Sequence, residues 1–228
     1  MSYDSKPDEA ILNNVAWCNA IADSHGIATH RQKSVWHCDH PMPPFYPNII
    51  TLSKDAQIDK LIKTIDSRLA PGWGIKDSFG NLDLSGKGFS LAFDANWYCR
   101  IPSPITNLKS SLAVNAVKTQ SDLDRWVKAW GEEQRIFTSP LLQNTAVELI
   151  LAEHNGRVVS GLATNQSGKS VGISNVFGLP NGILDCVADV ARRHPEKVLV
   201  GYGDKEEIEI LSTIGFREIG NLRVWLRR

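Results

Sequence analysis

The sequence has no excess of either charge, and this absence limits its partners. Its 228 residues contain 25 Lys and Arg against 25 Asp and Glu, so the formal net charge is zero. Nucleic acids and anionic membranes bind proteins through clustered positive charge. The composition therefore predicts neither a nucleic-acid partner nor a membrane partner.

Long apolar runs and export signals are also missing. No hydrophobic stretch approaches the roughly 20 residues that cross a bilayer. The N-terminal segment MSYDSKPDEA has neither a basic region nor an apolar one, so a secretory signal is not expected. The four cysteines stand apart without a C-x-x-C pair, which favours reduced thiols over a disulfide framework. We therefore expect a cytoplasmic protein.

Recognised metal-ligand spacing is absent as well. His30, His37, Cys38 and His40 lie close together around a proline-rich segment, but two ligands so near each other on a loop match no zinc motif. Packing of this loop against a sheet explains them better. We predict no metal site.

The patterns that are present alternate between helix and strand, which predicts an α+β fold with a mixed, mostly antiparallel central sheet flanked by helices. Asn155-Gly156 joins two β-prone runs and is the strongest hairpin signal in the chain. A last ribbon is predicted from Phe216 to Leu226, turning at Gly220-Asn221. The proline- and serine-rich residues near 101–111 favour a linker. We place it at 102–112, between an N-terminal half at 1–101 and a C-terminal domain at 113–228.

An internal repeat relates the two halves. GIKDSFGNLDLSGKGF at 74–89 aligns without gaps on GYGDKEEIEILSTIGF at 201–216, with six identities in sixteen positions. Each copy continues into an aromatic strand, containing Trp97 or Trp225. A shared helix–glycine–strand pattern is the alternative explanation, but the number of identities favours a duplication, which predicts two related halves of which the first is degenerate.

The C-terminal half resembles the GNAT (GCN5-related N-acetyltransferase) superfamily. NGRVVSGLATNQSGKSVGISNVFGLP is similar to its central antiparallel strands, VLVGY to the strand that splays away from them, and EEIEILSTIGFREIGNLRVWL to its closing helix and ribbon. The resemblance covers about residues 113–228, and it reaches residues 1–100 only through the repeat. It implies an acyl-CoA N-acyltransferase-like fold.

The resemblance also implies a site for acetyl-CoA or another acyl-CoA as cosubstrate. In the family, the pantetheine arm adds to the exposed backbone of a splayed strand, and the pyrophosphate lies on amides at the next helix N-terminus. Carried onto this sequence, the binding residues are Ile173, Ser174, Asn175, Val176, Phe177, Gly178, Gly182, Ile183 and Leu184.

Three residues are candidates for the chemistry. Asn175, at the expected splay, would orient the thioester, although it fits equally well as a strand cap. Glu148 on a central strand would deprotonate the amine, but a solvated strand face explains it better. Tyr202 would protonate the leaving thiolate, although tyrosine is also common in the core at a strand end.

Two departures from the family pattern leave a second hypothesis open. The family's phosphate loop is reduced here to GLPNGIL, without its basic residue, and Leu211 occupies the position of the family's proton-donating tyrosine. The first hypothesis is an acyltransferase acting on a small-molecule or peptide amine, with the acceptor between the halves. The alternative is a non-catalytic ligand-binding or interaction module.

Overall fold

The computed structural model describes residues 6–105, 112–131 and 136–228. Most of the predicted linker, residues 106–111, lies outside this part of the chain. The α-helices are α1 Lys6–Ser24, α2 Asp59–Asp66, α3 Gln120–Trp130, α4 Pro180–Arg193 and α5 Lys205–Ser212. The strands are β1 His30–Arg31, β2 Val35–His37, β3 Ile49–Thr51, β4 Gly74–Asp77, β5 Phe89–Arg100, β6 Ala113–Ala116, β7 Val147–His154, β8 Arg157–Ser167, β9 Ser170–Gly178, β10 Val198–Gly203 and β11 Arg217–Arg227.

One sheet contains all eleven of these strands, in the order β1-β2-β3-β4-β11-β5-β10-β9-β8-β7-β6. Neighbours are antiparallel except for the pairs β3/β4 and β9/β10, which are parallel. Helices α1 and α3 cover one face, here called the front face, and α2, α4 and α5 cover the back face. The predicted α+β class, with a mostly antiparallel sheet between helices, is confirmed.

The last strand corrects the expected ribbon. Gly220-Asn221 forms no hairpin turn, because β11 continues through it, with one register shift between Glu218 and Gly220 and another between Val224 and Trp225. The partners of β11 are β5 and β4, which come from the first half of the chain. The C-terminal half needs no second ribbon strand between β10 and β11, because β5 already lies between them.

The centre of the sheet has a symmetric order. On one side β4 is parallel to β3 and antiparallel to β11, and on the other β10 is parallel to β9 and antiparallel to β5. The two segments aligned by the repeat therefore occupy equivalent places. The first half supplies β5, which pairs with β10, and the second half supplies β11, which pairs with β4. The duplication itself stays a prediction.

Helix α1 ties both halves together across the front face. The Asn13 side-chain amide donates to the Ser170 hydroxyl at 3.0 Å, and the Asn165 side-chain amide donates to the Asn13 backbone carbonyl at 3.1 Å. The next residue of α1, Asn14, accepts a hydrogen bond on its side-chain oxygen from the Lys76 ammonium at 2.8 Å. Buried polar groups need such partners, so these bonds fix the position of α1 on the sheet. None of the helices in the described ranges is long and apolar enough to cross a membrane.

Candidate functional site

Strands β9 and β10 separate part-way along their length. Their parallel pairing ends at Ile173 opposite Gly201. Beyond that point β9 continues to Gly178 paired only with β8, and β10 continues to Gly203 paired only with β5. The result is an open V between two neighbouring strands, which we call the gap.

A bulge at Asn175 shapes the β9 side of the gap. Asn175 has a φ of 51°, and the β8–β9 register shifts between Ala163 and Gly161. The Leu179 amide donates to the Val159 carbonyl of β8. Because backbone groups alternate along a strand, Val176 and Gly178 direct theirs away from β8. The gap is therefore lined by backbone donors and acceptors.

The equivalent parallel pair in the first half has no such gap. After β4 ends, the Ser78 amide still donates to the Thr51 hydroxyl at 2.9 Å, and the Asn81 side chain donates to the Lys54 carbonyl at 2.9 Å. These bonds hold the chain after β3 against the chain after β4. Of the two equivalent positions, only the one in the second half opens.

Helix α4 begins beside the gap on the back face. Its first residue, Pro180, has no N–H, and no side chain caps the helix. The Ile183 amide already donates to the Leu179 carbonyl at 3.0 Å. The amides left for an anion are thus those of Asn181 and Gly182, one residue earlier than the Gly182–Leu184 set expected from the sequence.

The two glycines of this turn are required by packing. Gly178 has a φ of 97°, and a Cβ built on it would fall inside contact distance of the Val159 carbonyl. A Cβ on Gly182 would collide with the side chain of Ser160, whose hydroxyl donates to the Leu179 carbonyl at 2.9 Å. The turn therefore packs tightly on β8 and holds the start of α4 beside the gap.

The structure brings two of the three proposed catalytic residues to the gap on the front face. The Tyr46 hydroxyl donates to the Asn175 side-chain oxygen at 3.3 Å. Tyr202 directly follows the last residue of β10 that pairs with β9, and its ring packs edge-on against Trp97 of β5 with centroids 5.4 Å apart. Asn175 and Tyr202 thus flank the opening from opposite strands.

Glu148 is not brought to the same place. It lies on β7, two strands away from β9, and forms an ion pair with Arg193 near the end of α4. Its strand neighbours Leu149 and Leu151 pack into the front-face core. Because side chains alternate along a strand, Glu148 points to the back face and has no path to the front of the gap.

A hydrogen-bonded pair that the sequence did not single out, a buried tyrosine and a partly buried glutamate, lies at the back of the gap. The Tyr98 hydroxyl donates to Glu207 Oε1 at 2.7 Å. The Tyr98 ring covers Gly201, since a Cβ built there would be 2.6 Å from the ring. Burial raises the pKa of Glu207 to about 7, with a smaller rise from Asp204, while the bond from Tyr98 lowers it. Glu207 can therefore give or take a proton near neutral pH.

This pair lies close to the position where the family resemblance places a tyrosine. Glu207 and Leu211 are four residues apart on α5, so they share one face of the helix. Leu211 is fully buried in the back-face core. Glu207 and the tyrosine bound to it therefore lie one helical turn before Leu211.

Solved structures with the same arrangement identify the architecture. A GCN5-related N-acetyltransferase from Kribbella flavida superposes with a TM-score of 0.70 at 10% identity, covering 96% of this chain and 95% of that one. A conserved protein from Staphylococcus epidermidis gives a TM-score of 0.64 at 12% identity, covering 88% and 94%. The chain has the GNAT fold. This confirms the architecture that the C-terminal motifs predict.

The GNAT fold extends beyond the part that resembles the family in sequence. An N-myristoyltransferase of Saccharomyces cerevisiae, solved with bound myristoyl-CoA, superposes with a TM-score of 0.55 at 8% identity, covering 78% of this chain and 59% of that one. No protein-family model matches the sequence, and no curated protein matches it either. The likeness is therefore one of fold.

Among the residues that the structure describes, no group of three or more His, Cys, Asp or Glu side chains is placed to hold an ion. His30 and His37 stack on each other with ring centroids 5.0 Å apart. These two rings therefore pack against each other at the edge of the sheet, where β1 and β2 lie.

Proposed function

We propose that this protein is an acyltransferase that moves an acetyl or other acyl group from an acyl-CoA to an amine. The observation that carries the proposal is the gap between β9 and β10, which exposes strand backbone inside an otherwise continuous sheet. An unpaired strand edge binds an extended amide-bearing chain by completing its hydrogen bonds. A pantetheine arm, which carries two amides, fits that requirement.

The residues around the gap fit both ends of such a ligand. The backbone of Val176 and Gly178 would bind the pantetheine amides, and the free amides of Asn181 and Gly182 would bind the pyrophosphate at the positive end of the α4 dipole. Because α4 covers the back face, the cofactor enters from the back. The amine then approaches the thioester from the front, between Asn175 and Tyr202.

The transfer needs one bond formed, one broken and two protons moved. The neutral amine nitrogen attacks the thioester carbonyl carbon, the C–N bond forms and the C–S bond breaks. The nitrogen loses its proton to solvent, and the thiolate takes a proton from Glu207, which regains one from water. Asn175 and the backbone of β9 orient the carbonyl. Holding amine and thioester together supplies much of the rate.

Leu211 and the short β9–α4 turn favour a second candidate, a GNAT-fold module that binds a ligand without turnover. Neither Leu211 nor the residues Leu179–Gly182 offer a charged side chain to the cofactor. A thiol-release assay over a panel of primary amines separates the two candidates. Sustained release of CoA supports the enzyme, whereas CoA binding without release supports the module.

Calorimetric titration with acetyl-CoA and CoA tests the cofactor site. We expect binding with a dissociation constant of roughly 1 µM to 1 mM, the range usual for enzyme substrates. Asn181→Asp should weaken it about tenfold, because a carboxylate 5 Å or so from a pyrophosphate costs roughly 1–2 kcal/mol at a surface. The folded state should keep its stability, since an acid in the first turn suits the helix dipole.

The matched control is Gln57→Glu, which adds the same charge just before α2, the helix that occupies the equivalent place in the first half. It should leave CoA binding unchanged, because the β3–β4 pair has no gap. Absence of any CoA binding at millimolar concentration would reject the cofactor assignment. Equal weakening by both variants would show that α4 is not where the phosphates bind.

A further inference from the structure

A large apolar cavity lies on the front face, next to the gap. It has a volume of about 940 Å³ and is bounded by the proline-rich segment 41–48, by β4 and by the front face of the sheet. Its apolar walls include Pro43, Phe45, Phe93, Val224 and Leu226. Tyr46 and Tyr202, which flank the gap, also line it. The cavity is thus continuous with the place where an acceptor amine would meet the thioester.

One buried cation lines this cavity without a counter-charge. Lys76 is only 3% exposed. Its ammonium donates to the Asn14 side-chain oxygen at 2.8 Å and lies 4.1 Å from the centroid of the Tyr202 ring. No carboxylate among the described residues lies within ion-pair distance of it. A buried ammonium held only by neutral partners is costly, so the site is prepared for an anion from outside.

The second cation of the cavity wall is already paired. Arg68 forms an ion pair with Asp39. Lys76 therefore supplies the single uncompensated positive charge among the residues lining the cavity. One ammonium matches the single negative charge of a carboxylate, whereas a phosphate dianion needs more donors than these apolar walls provide.

We propose that the acceptor is an amine that also carries a carboxylate and an apolar body, as an apolar α-amino acid does. The carboxylate pairs with Lys76, and the apolar body packs against Phe93 and Leu226. These two side chains are 45% and 40% exposed in the free protein, and a ligand covering them removes apolar surface from water. The amine then points into the gap, passing between the side chains of Tyr46 and Tyr202. This inference rests on the proposed acyl transfer.

Matched acceptors test the role of the carboxylate. In the thiol-release assay with acetyl-CoA, kcat/KM for phenylalanine should exceed that for 2-phenylethylamine roughly 10–100-fold, the worth of one charge-assisted hydrogen bond in a buried site. Leucine and isoamylamine make a second such pair. Lys76→Met and Lys76→Gln should remove the preference, and Lys60→Met, at an exposed lysine of α2, should leave it intact.

Binding of 3-phenylpropionate, which has the carboxylate and the ring but no amine, gives a readout independent of catalysis. Wild type and Lys60→Met should bind it by calorimetry without CoA, and both Lys76 variants should bind it at least tenfold more weakly while melting cooperatively. Lys76→Gln keeps a donor for Asn14, so its loss of binding reports the charge.

The two proposals fail in different ways. Lys76-dependent binding of phenylpropionate by a protein that does not bind CoA would support the carboxylate site and overturn the acyl transfer. Two results would overturn the inference drawn from Lys76 and leave the acyl transfer standing. One is CoA binding without phenylpropionate binding. The other is CoA binding together with a preference for phenylalanine over 2-phenylethylamine that survives in the Lys76 variants.

Discussion

Glu207→Gln is expected to lower kcat about a hundredfold at pH 7 while leaving acyl-CoA binding nearly unchanged. The glutamine accepts the same hydrogen bond from Tyr98 but cannot give a proton to the departing thiolate. Loss of a general acid costs typically 10²–10⁴-fold in rate. The exposed neighbour Glu206 supplies the control, since Glu206→Gln makes the same substitution at the preceding position of α5.

The same variant should become more stable above neutral pH. Because the pKa of Glu207 is raised to about 7 from an ordinary 4.5, the folded protein binds more protons than the unfolded chain between these values. Stability therefore falls as pH rises through this window, and the penalty is complete above pH 7. Glu207→Gln should lack this fall and exceed wild type by roughly 2–3 kcal/mol at pH 8.

Denaturant unfolding across pH 4–8 and steady-state kinetics check both expectations. A variant that is more stable yet slow would show that Glu207 acts in the chemistry. Wild-type kcat in Glu207→Gln would exclude the acid role, and an unchanged pH dependence of stability would show that the surroundings of this carboxylate do not raise its pKa.

Gly178→Ala should have the largest effect on stability. Alanine at a φ of 97° is strained, and its Cβ would meet backbone atoms of Val159 and Ser160, which cannot move independently of β8. The left-handed conformation costs roughly 1–2 kcal/mol and overpacking about 1–3 kcal/mol. We expect a loss of about 2–5 kcal/mol in the free energy of unfolding.

Gly86→Ala is the control for this substitution. Gly86 is not in the left-handed region, and a Cβ built on it meets no atom within 4 Å. Its stability in urea should stay within about 0.5 kcal/mol of wild type, as for most surface changes. A loss below 1 kcal/mol in Gly178→Ala would mean that the β9–α4 turn is looser than described, and that the start of α4 is not fixed beside the gap.

The sequence predicts this fold where consecutive elements are neighbours in space. The Asn155-Gly156 hairpin and the strand SVGISNVF are read from local patterns, because β7, β8 and β9 pair in chain order. The pairing of β5 with β10 cannot be predicted from local patterns. That pairing joins residues about a hundred positions apart, such as Tyr98 and Gly201, and no local pattern reports it.

The same limit explains which site residues sequence reasoning missed. Asn175 and Tyr202 belong to the motifs that carry the family resemblance, whereas Lys76 and Tyr98 reach the gap from the first half by long-range pairing. Glu207 had a usable signal, since it stands four residues before Leu211 on the same helix face. The sequence places Glu148 on a central strand, but alternation with the core residues Leu149 and Leu151 puts its side chain on the back face, away from the front of the gap.

The central claim is that the gap between β9 and β10 receives the arm of an acyl-CoA. A crystal structure of the protein grown with acetyl-CoA measures this most directly. The account predicts pantetheine amides within hydrogen-bond distance of the Val176 backbone, with the pyrophosphate on the amides of Asn181 and Gly182. A complex with the ligand bound elsewhere, or strands β9 and β10 hydrogen-bonded to each other through residues 174–178, would contradict it.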